Sequence, residues 1–366
     1  MVDARLSKLA KVLVNYSLKL KKGDLFVING STYGKPLALE VFKEALAAGA
    51  NPVMMPDFED YKELLIRHGS DEQITYSEPF GIEIMKRADA LLTIWAESNT
   101  KSLTSANPEK LNLLAKRRRS ALDIYNKRTS NGSLRWCGTQ YPTYASAMDA
   151  NMSLNEYEDF VFSSGYMDSP EPAKEWERIH NEQQKLADFL TGKKTIELKS
   201  KDTQLTFSID GRKWINCDGT VNFPDGEVFT SPVEDSINGH VRFSYPAIYM
   251  NREVEDVELT FENGKVVSAR AKKDEAFLNE ILKTDEGSSN VGEFAIGTNY
   301  NIKKFTKNIL FDEKIGGTVH IAVGAGIGEA GGRNKSSIHW DMICDMTEGK
   351  IFADGVLFYK NGKWLI

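Results

Sequence analysis

The hydrophobic pattern changes period part-way along the chain, and this change restricts the possible folds more than any other feature of the sequence. In the first half, short apolar runs alternate with helical stripes. Leu25-Phe26-Val27-Ile28, Val53-Met54-Met55 and the run from Ala90 to Ala96 read as strands, the first and last of them buried. Between the first two, Pro36 opens a helix through Ala48 that carries Leu37, Val41, Ala45 and Leu46 at helical spacing and stops at Gly49. This rhythm predicts an α/β N-terminal domain with an open sheet. After Gly192 the period becomes two: Leu205, Phe207 and Ile209 alternate with polar residues. Asn263-Gly264, Asp354-Gly355 and Asn361-Gly362 then mark tight hairpins between β-rich runs. The second half is expected to be a C-terminal antiparallel β-rich (α+β) domain, with one short helix from Glu275 to Leu282. A chain of 366 residues is long for one core. The breaker cluster Asp168-Ser169-Pro170-Glu171-Pro172 predicts a linker, followed by a helix with Trp176, Ile179, Gln183, Leu186 and Leu190 on one stripe. The expected domains are 1–190 and 191–366.

Charge and composition narrow the functional classes. With 46 basic and 52 acidic residues the formal charge is −6, which does not suit a protein that binds a polyanion by releasing counter-ions, so nucleic acid is not an expected partner. No apolar run reaches bilayer length, and no membrane partner is expected. The first residues are interrupted by Arg5, Lys8 and Lys11 and read as an amphipathic helix, with Leu6, Leu9, Ala10 and Leu13 on one side and Asp3 as cap, and not as a signal peptide. The expected compartment is the cytoplasm. Cys137, Cys217 and Cys344 are far apart and lack CxxC spacing, as small hydrophobes of a reducing compartment would be.

The residues that could carry chemistry cluster in the second half. His320 lies in Val319-His320-Ile321-Ala322-Val323-Gly324; in a strand it shares its face with Ala322 and Gly324, which leaves room beside it. In Ile338-His339-Trp340-Asp341-Met342, His339 and Asp341 share the polar face and can both reach one ion. Glu293 lies in the apolar run Val291–Gly297, beside Ala295 and Gly297. Glu227 follows Pro224-Asp225-Gly226, and Glu313 shortly precedes His320. A lone strand histidine is most often a hydrogen-bonded core residue, and a lone glutamate near a turn a cap. The set matters more than its members. The apolar segments around Glu227, Glu293, His320 and His339 contain no Lys or Arg, and a buried carboxylate is costly without a positive partner. One or two divalent cations are the simplest partner.

Other signals are weaker. Lys116-Arg117-Arg118-Arg119 suits a solvated helix end. Gly326-Ile327-Gly328-Glu329-Ala330-Gly331 matches GxGxxG, but no helix signal follows, so a glycine-rich turn is expected instead of a dinucleotide loop. His68 and His180 lie in charged helical stretches and read as surface residues, as does His240.

Four ordered stretches, Gly226–Pro232, Gly292–Asn299, His320–Gly324 and His339–Asp341, together resemble the M29 family of metallo-aminopeptidases, the aminopeptidase T group. Lys22-Gly23-Asp24 before a strand and Ala48-Gly49-Ala50 after a helix are similar too, so the likeness covers nearly the whole chain. The resemblance implies a β-rich metal-binding C-terminal domain, a homodimer and short peptide substrates. It also implies two divalent metal ions, with zinc, cobalt, manganese or magnesium as candidates. Glu227, Glu293, His320, His339 and Asp341 match the family's ligand positions, with Glu293 as a metal bridge. Glu313 matches a further acidic position, at a longer spacing from His320. Glu227 and Glu313 are both open as proton carrier. A tyrosine that many members carry after the first histidine is absent: the neighbourhood reads Ala325-Gly326-Ile327, and no tyrosine lies between Tyr300 and Tyr359. Two rival readings stand beside the aminopeptidase. One is a mononuclear iron ring-cleaving dioxygenase using His320, His339 and Asp341. The other is a non-catalytic, metal-stabilised peptide-binding dimer.

Overall fold

Runs of branched apolar residues form a parallel sheet in the N-terminal half of the computed structural model, which describes residues 3–250 and 252–366. Its five strands are ordered Asn51–Asp57, Leu25–Ser31, Ala90–Trp95, Arg135–Gln140 and Asn222–Phe223, all parallel. The expected strands are all present. Asn51–Asp57 is at the edge, which is why Val53 and Met54 stay exposed while Phe26, Val27 and Ile28 are buried. The helix Lys35–Ala47 buries Leu37, Ala38, Val41 and Ala45; Leu46, expected on its stripe, points to solvent. The N-terminal helix Ala4–Lys11 starts as expected, with the Asp3 side chain accepting from the Arg5 N–H, and buries Leu6, Leu9 and Ala10.

The chain forms two compact units, Met1–Ala173 with Gly219–Phe223, and Lys174–Asp218 with Pro224–Ile366. They part at the breaker cluster, one helix earlier than a boundary at 190. The physical reason is the helix Pro172–Leu190, whose Leu186, Ala187 and Leu190 lie in the apolar core of the second unit.

Among the described residues that unit contains two large antiparallel sheets and the two-stranded ribbon Ala247–Tyr249 with Arg252–Val254. The larger runs Lys265–Arg270, Glu258–Glu262, Asn238–Arg242, Thr203–Ser208, Thr195–Ser200, Lys350–Ala353, Val356–Lys360 and Lys363–Trp364. Each of the three Asn-Gly or Asp-Gly pairs turns a hairpin, with both residues at positive φ: Asn263 48° and Gly264 82°, Asp354 49° and Gly355 78°, Asn361 53° and Gly362 76°. The short helix is found at Glu275–Ile281. The smaller sheet is ordered His339–Asp345, Thr318–Gly324, Val291–Gly297, Glu227–Thr230 and Ile215–Cys217. Its apolar side, including Val228, Phe294, Ile296, Val319, Ile321, Val323, Trp340 and Met342, shares one core with Ile196, Leu198, Leu205 and Phe207 of the larger sheet. Phe294 is central to it, with its ring 5.0 Å from that of Phe207 and 6.2 Å from Trp214. Among the described residues no helix is long and apolar enough to cross a membrane.

Because Phe294 is fully buried on the side of its strand opposite Glu293, Phe294→Ala is expected to destabilise the second unit by about 3–5 kcal/mol. Urea unfolding followed by circular dichroism measures this, and a loss below about 1 kcal/mol would mean the two sheets do not depend on this contact.

Candidate metal centre

Antiparallel register collects the polar side chains on one face of the smaller sheet. Glu227 stands opposite Gly297, His320 opposite Ala295, and Ala322 opposite Glu293. On the next strand Asp341 stands opposite Ala322 and His339 opposite Gly324. Each of these five strand residues therefore has a glycine or alanine as a cross-strand neighbour, and the five functional side chains converge over the small ones. The intervening residues face the core, so the same alternation that buries Phe294, Ile321 and Trp340 presents the acids and imidazoles.

Local devices fix these side chains. Gly226, before Glu227, has φ 129°, and a Cβ there would meet the Asn299 Cβ at 2.6 Å. The buried Gln183, from the helix stripe, donates through Nε2 to the Glu227 carbonyl at 2.9 Å and to the Cys217 carbonyl at 2.9 Å. Asp285 accepts from the Ser337 N–H at 2.7 Å and the Ser336 hydroxyl at 2.8 Å, holding the approach to His339.

Both histidines are oriented by backbone carbonyls. His320 Nδ1 lies 3.0 Å from the Glu313 carbonyl and His339 Nδ1 3.0 Å from the Ala325 carbonyl. A carbonyl only accepts, so each Nδ1 bears hydrogen and each Nε2 is left to face the acids. His320 Nε2 is 3.6 Å from Glu227 Oε2, 3.6 Å from Glu293 Oε1 and 3.9 Å from Asp341 Oδ1. His339 Nε2 is 3.1 Å from Glu293 Oε2 and 3.3 Å from Asp341 Oδ1. His320, Glu227 and Glu293 are buried. The rim is formed by His339, whose side chain is 32% exposed, with Asp341 at 13% and Glu313 at 15%.

The electrostatics follow from burial and crowding. Burial pushes Glu227 up to about 8 and Asp225 up to about 7, and it raises Glu313. Burial acts on Glu293 and Asp341 too, but there the two imidazoles outweigh it. Glu293 is held below its ordinary value and Asp341 at about 2. Burial opposes charging of the histidines, yet the surrounding carboxylates lift His320 to about 10 and His339 to about 12. The site is short of positive charge, and bound protons partly make up the deficit.

One sequence expectation fails here. The apolar segments lack Lys and Arg, but Lys314, from the turn after the short helix Ile309–Asp312, is fully buried beside them. Its ammonium donates to Glu313 Oε1 and lies 3.8 Å from Glu227 Oε1 and 3.9 Å from Asp225 Oδ1. Asp225 and Cys217 are further neighbours of the site that the sequence reading misses. Their donor atoms group with Glu227, since Cys217 is the cross-strand partner of Glu227 and Asp225 is two residues before it. That i, i+2 spacing is the available signal for Asp225; nothing local marks Lys314. The other histidines stay outside the site. His68 and His240 are exposed, and the His180 Nδ1 lies 2.7 Å from Asp218 Oδ2. The glycine-rich segment after His320 forms the short 3₁₀ turn Gly328–Ala330 and opens no α-helix, as expected for a turn and not for a dinucleotide loop.

A divalent ion fits these residues. Among the described residues the buried atoms Asp225 Oδ2, Glu227 Oε2 and Asp341 Oδ1 take no hydrogen bond, although a buried acceptor left unmade is costly. Glu293, His339 and Asp341 place one donor atom each within 4.8 Å of one another, and so do Glu313, His320 and Asp341. Carboxylate oxygens with imidazole nitrogens are a donor set for zinc, manganese or cobalt. The family comparison agrees: the profile of the thermophilic metalloproteases (M29) matches residues 2–364. The chain belongs to the M29 family. Its relatives include aminopeptidase AmpS of Bacillus subtilis (strain 168), 26% identical with 98% of each chain covered. Aminopeptidase T of Thermus thermophilus is 24% identical, covering 99% of this chain and 98% of the relative. The solved structure of wild-type AmpT from Thermus thermophilus has the same fold, with a TM-score of 0.88 over the full length of both chains at 22% identity. This M29 chain thus combines a parallel sheet with antiparallel sheets, and neither the dioxygenase reading nor the non-catalytic one finds support among its relatives.

The Gly226 turn aims Glu227, so Gly226→Ala in this M29 protein is expected to weaken divalent-ion binding about 10-fold or more, in line with changes to groups that orient ligands. Isothermal titration of the ion-free protein reads the affinity; an unchanged value would mean Glu227 is positioned without the turn.

Proposed function

We propose that the second unit is the catalytic part of a metal-dependent aminopeptidase, and that Glu227, Glu293, Glu313, His320, His339 and Asp341 form its centre. The observation that carries this is the convergence of those side chains, with unpaired buried carboxylate oxygens, in a chain matched end to end by a metalloprotease family. Five of these donors fall into two groups that share Asp341, Glu293 with His339 and Glu313 with His320, while Glu227 groups with Cys217 and Asp225; this supports up to two divalent ions. When bound, such an ion lowers the pKa of a coordinated water towards about 7 and polarises a carbonyl oxygen.

The protein's own groups do the rest. The exposed edges of His339, Asp341 and Glu313 define the side from which a peptide approaches. Carboxylates on that rim receive a free α-amine, which restricts cleavage to the first peptide bond. His320 and His339, fixed through Nδ1, present Nε2 without needing to rotate. Hydrolysis also needs a group that takes a proton from water and returns it to the departing amine. Glu227 fits that role better than Glu313. Its Oε2 takes no hydrogen bond, and burial brings it close to neutrality, whereas Oε1 of Glu313 is engaged by Lys314. Glu293 stands between the two imidazoles, 3.6 Å from His320 Nε2 and 3.1 Å from His339 Nε2, and would hold an ion together with His339 and Asp341. A homodimer working in the cytoplasm on short peptides completes the reading.

Chelation is expected to abolish release of N-terminal residues from short peptides, and added zinc, manganese or cobalt to restore it. Glu293→Gln is expected to lower kcat/KM about 10²-fold or more, and an N-acetylated peptide to resist cleavage. Full activity in chelated protein, or equal cleavage of the acetylated peptide, would refute the proposal.

A further inference from the structure

Lys314 is a buried cation touching the site that the aminopeptidase reading leaves without a role. An ammonium has three donors and no acceptor, so it meets carboxylates as a cation. This one is fixed by its backbone: its N–H donates to the Phe311 carbonyl at 3.1 Å, and its carbonyl accepts from the Asn299 N–H at 3.0 Å. Its side chain is fully buried and faces Glu313, Glu227 and Asp225. Glu313, whose Oε1 accepts from Lys314, belongs to one of the two donor groups that share Asp341 and could hold a divalent ion.

The two groups are therefore not equivalent. Glu293, His339 and Asp341 have no lysine or arginine contact among the described ion pairs, and Asp341 Oδ1 takes no hydrogen bond. Glu313, His320 and Asp341 would have to share Glu313 with the ammonium. A dication there would stand close to a like charge, in a buried place where water and salt screen poorly. Glu227 links the two sides, with Oε1 towards Lys314 and Oε2 towards His320.

We propose that Lys314 supplies the second positive charge of this centre, so that each chain holds one tightly bound divalent ion, on Glu293, His339 and Asp341, and admits a second only weakly. The inference rests on the metal-dependent reading above and refines its ion count. It makes Lys314 a positioning residue: it keeps Glu313 and Glu227 in place and sets how many ions bind, without touching substrate.

The test is a manganese titration of the chelated, desalted full chain, with free ion followed by its electron paramagnetic resonance signal. The expected result is one ion per chain, with the second at least 100-fold weaker. Lys314→Met, which keeps the length of the side chain and removes its charge, is expected to tighten the second ion 10-fold or more, with a spin-coupled pair appearing in the spectrum. Lys314→Arg, retaining the charge, should keep a single tight ion. Circular dichroism establishes that the variants are folded; if Lys314→Met is not, the wild-type count decides by itself. Two ions of similar affinity in the wild type, or an unchanged second affinity in folded Lys314→Met, would overturn the inference while leaving the metalloprotease reading intact. Binding of no ion would overturn both.

Discussion

Five carboxylates, Asp225, Glu227, Glu293, Glu313 and Asp341, crowd into one largely buried place, and their need for positive charge governs the arrangement around them. Desolvation and mutual repulsion both oppose ionisation, and water is too scarce there to compensate. The protein answers with what it has: two imidazoles whose Nε2 atoms face the acids, one buried ammonium, and burial that makes Asp225, Glu227 and Glu313 easier to protonate. Three carboxylate oxygens among the described residues still take no hydrogen bond. A site in this condition is poised for a divalent ion, because the ion satisfies acceptors that the polypeptide leaves open.

The smaller sheet makes such a site tolerable by dividing labour between its faces. One side is continuous with the apolar core through Phe294, Ile296, Ile321, Val323 and Trp340, and that burial stabilises the strands. The other side carries the acids and imidazoles, each opposite a glycine or alanine in the register. A one-residue slip in any strand would exchange the faces, so packing at the back holds the chemistry at the front in register. The helix Pro172–Leu190 supports the same division. Leu186 and Leu190 join the core, while Gln183 reaches the backbone beside Glu227.

The elements that can be read from the sequence are those governed by local rules. Glycine at the second position of Asn263-Gly264, Asp354-Gly355 and Asn361-Gly362 permits the positive φ that closes a hairpin, and all three of these hairpins are there. The ligand strands were legible because period-two alternation puts His339 with Asp341 and His320 with Ala322 whatever the neighbouring strands do. The domain boundary was not legible in the same way. The helix after the breaker cluster has one apolar stripe, and a stripe does not say which core it joins. Leu46 shows the same limit from the other side, since a residue at helical spacing becomes solvent-exposed when nothing packs over it.

By itself the sequence determined the types and local directions of the site residues: side chains in strands alternate with a period set by backbone geometry, and glycine and proline punctuate the chain wherever they occur. It also carried, in four ordered motifs, the resemblance to the M29 family. Only the tertiary structure decided which groups share a dielectric environment. Lys314 follows Glu313 in a turn between the apolar Leu310-Phe311 and Ile315, and nothing in that stretch marks a lysine for burial beside acids. It becomes part of the centre because the segment folds against a strand far back in the chain, where Glu227 and Asp225 lie. Coulomb interactions depend on distance through space and on burial, and neither is a property of position along the chain.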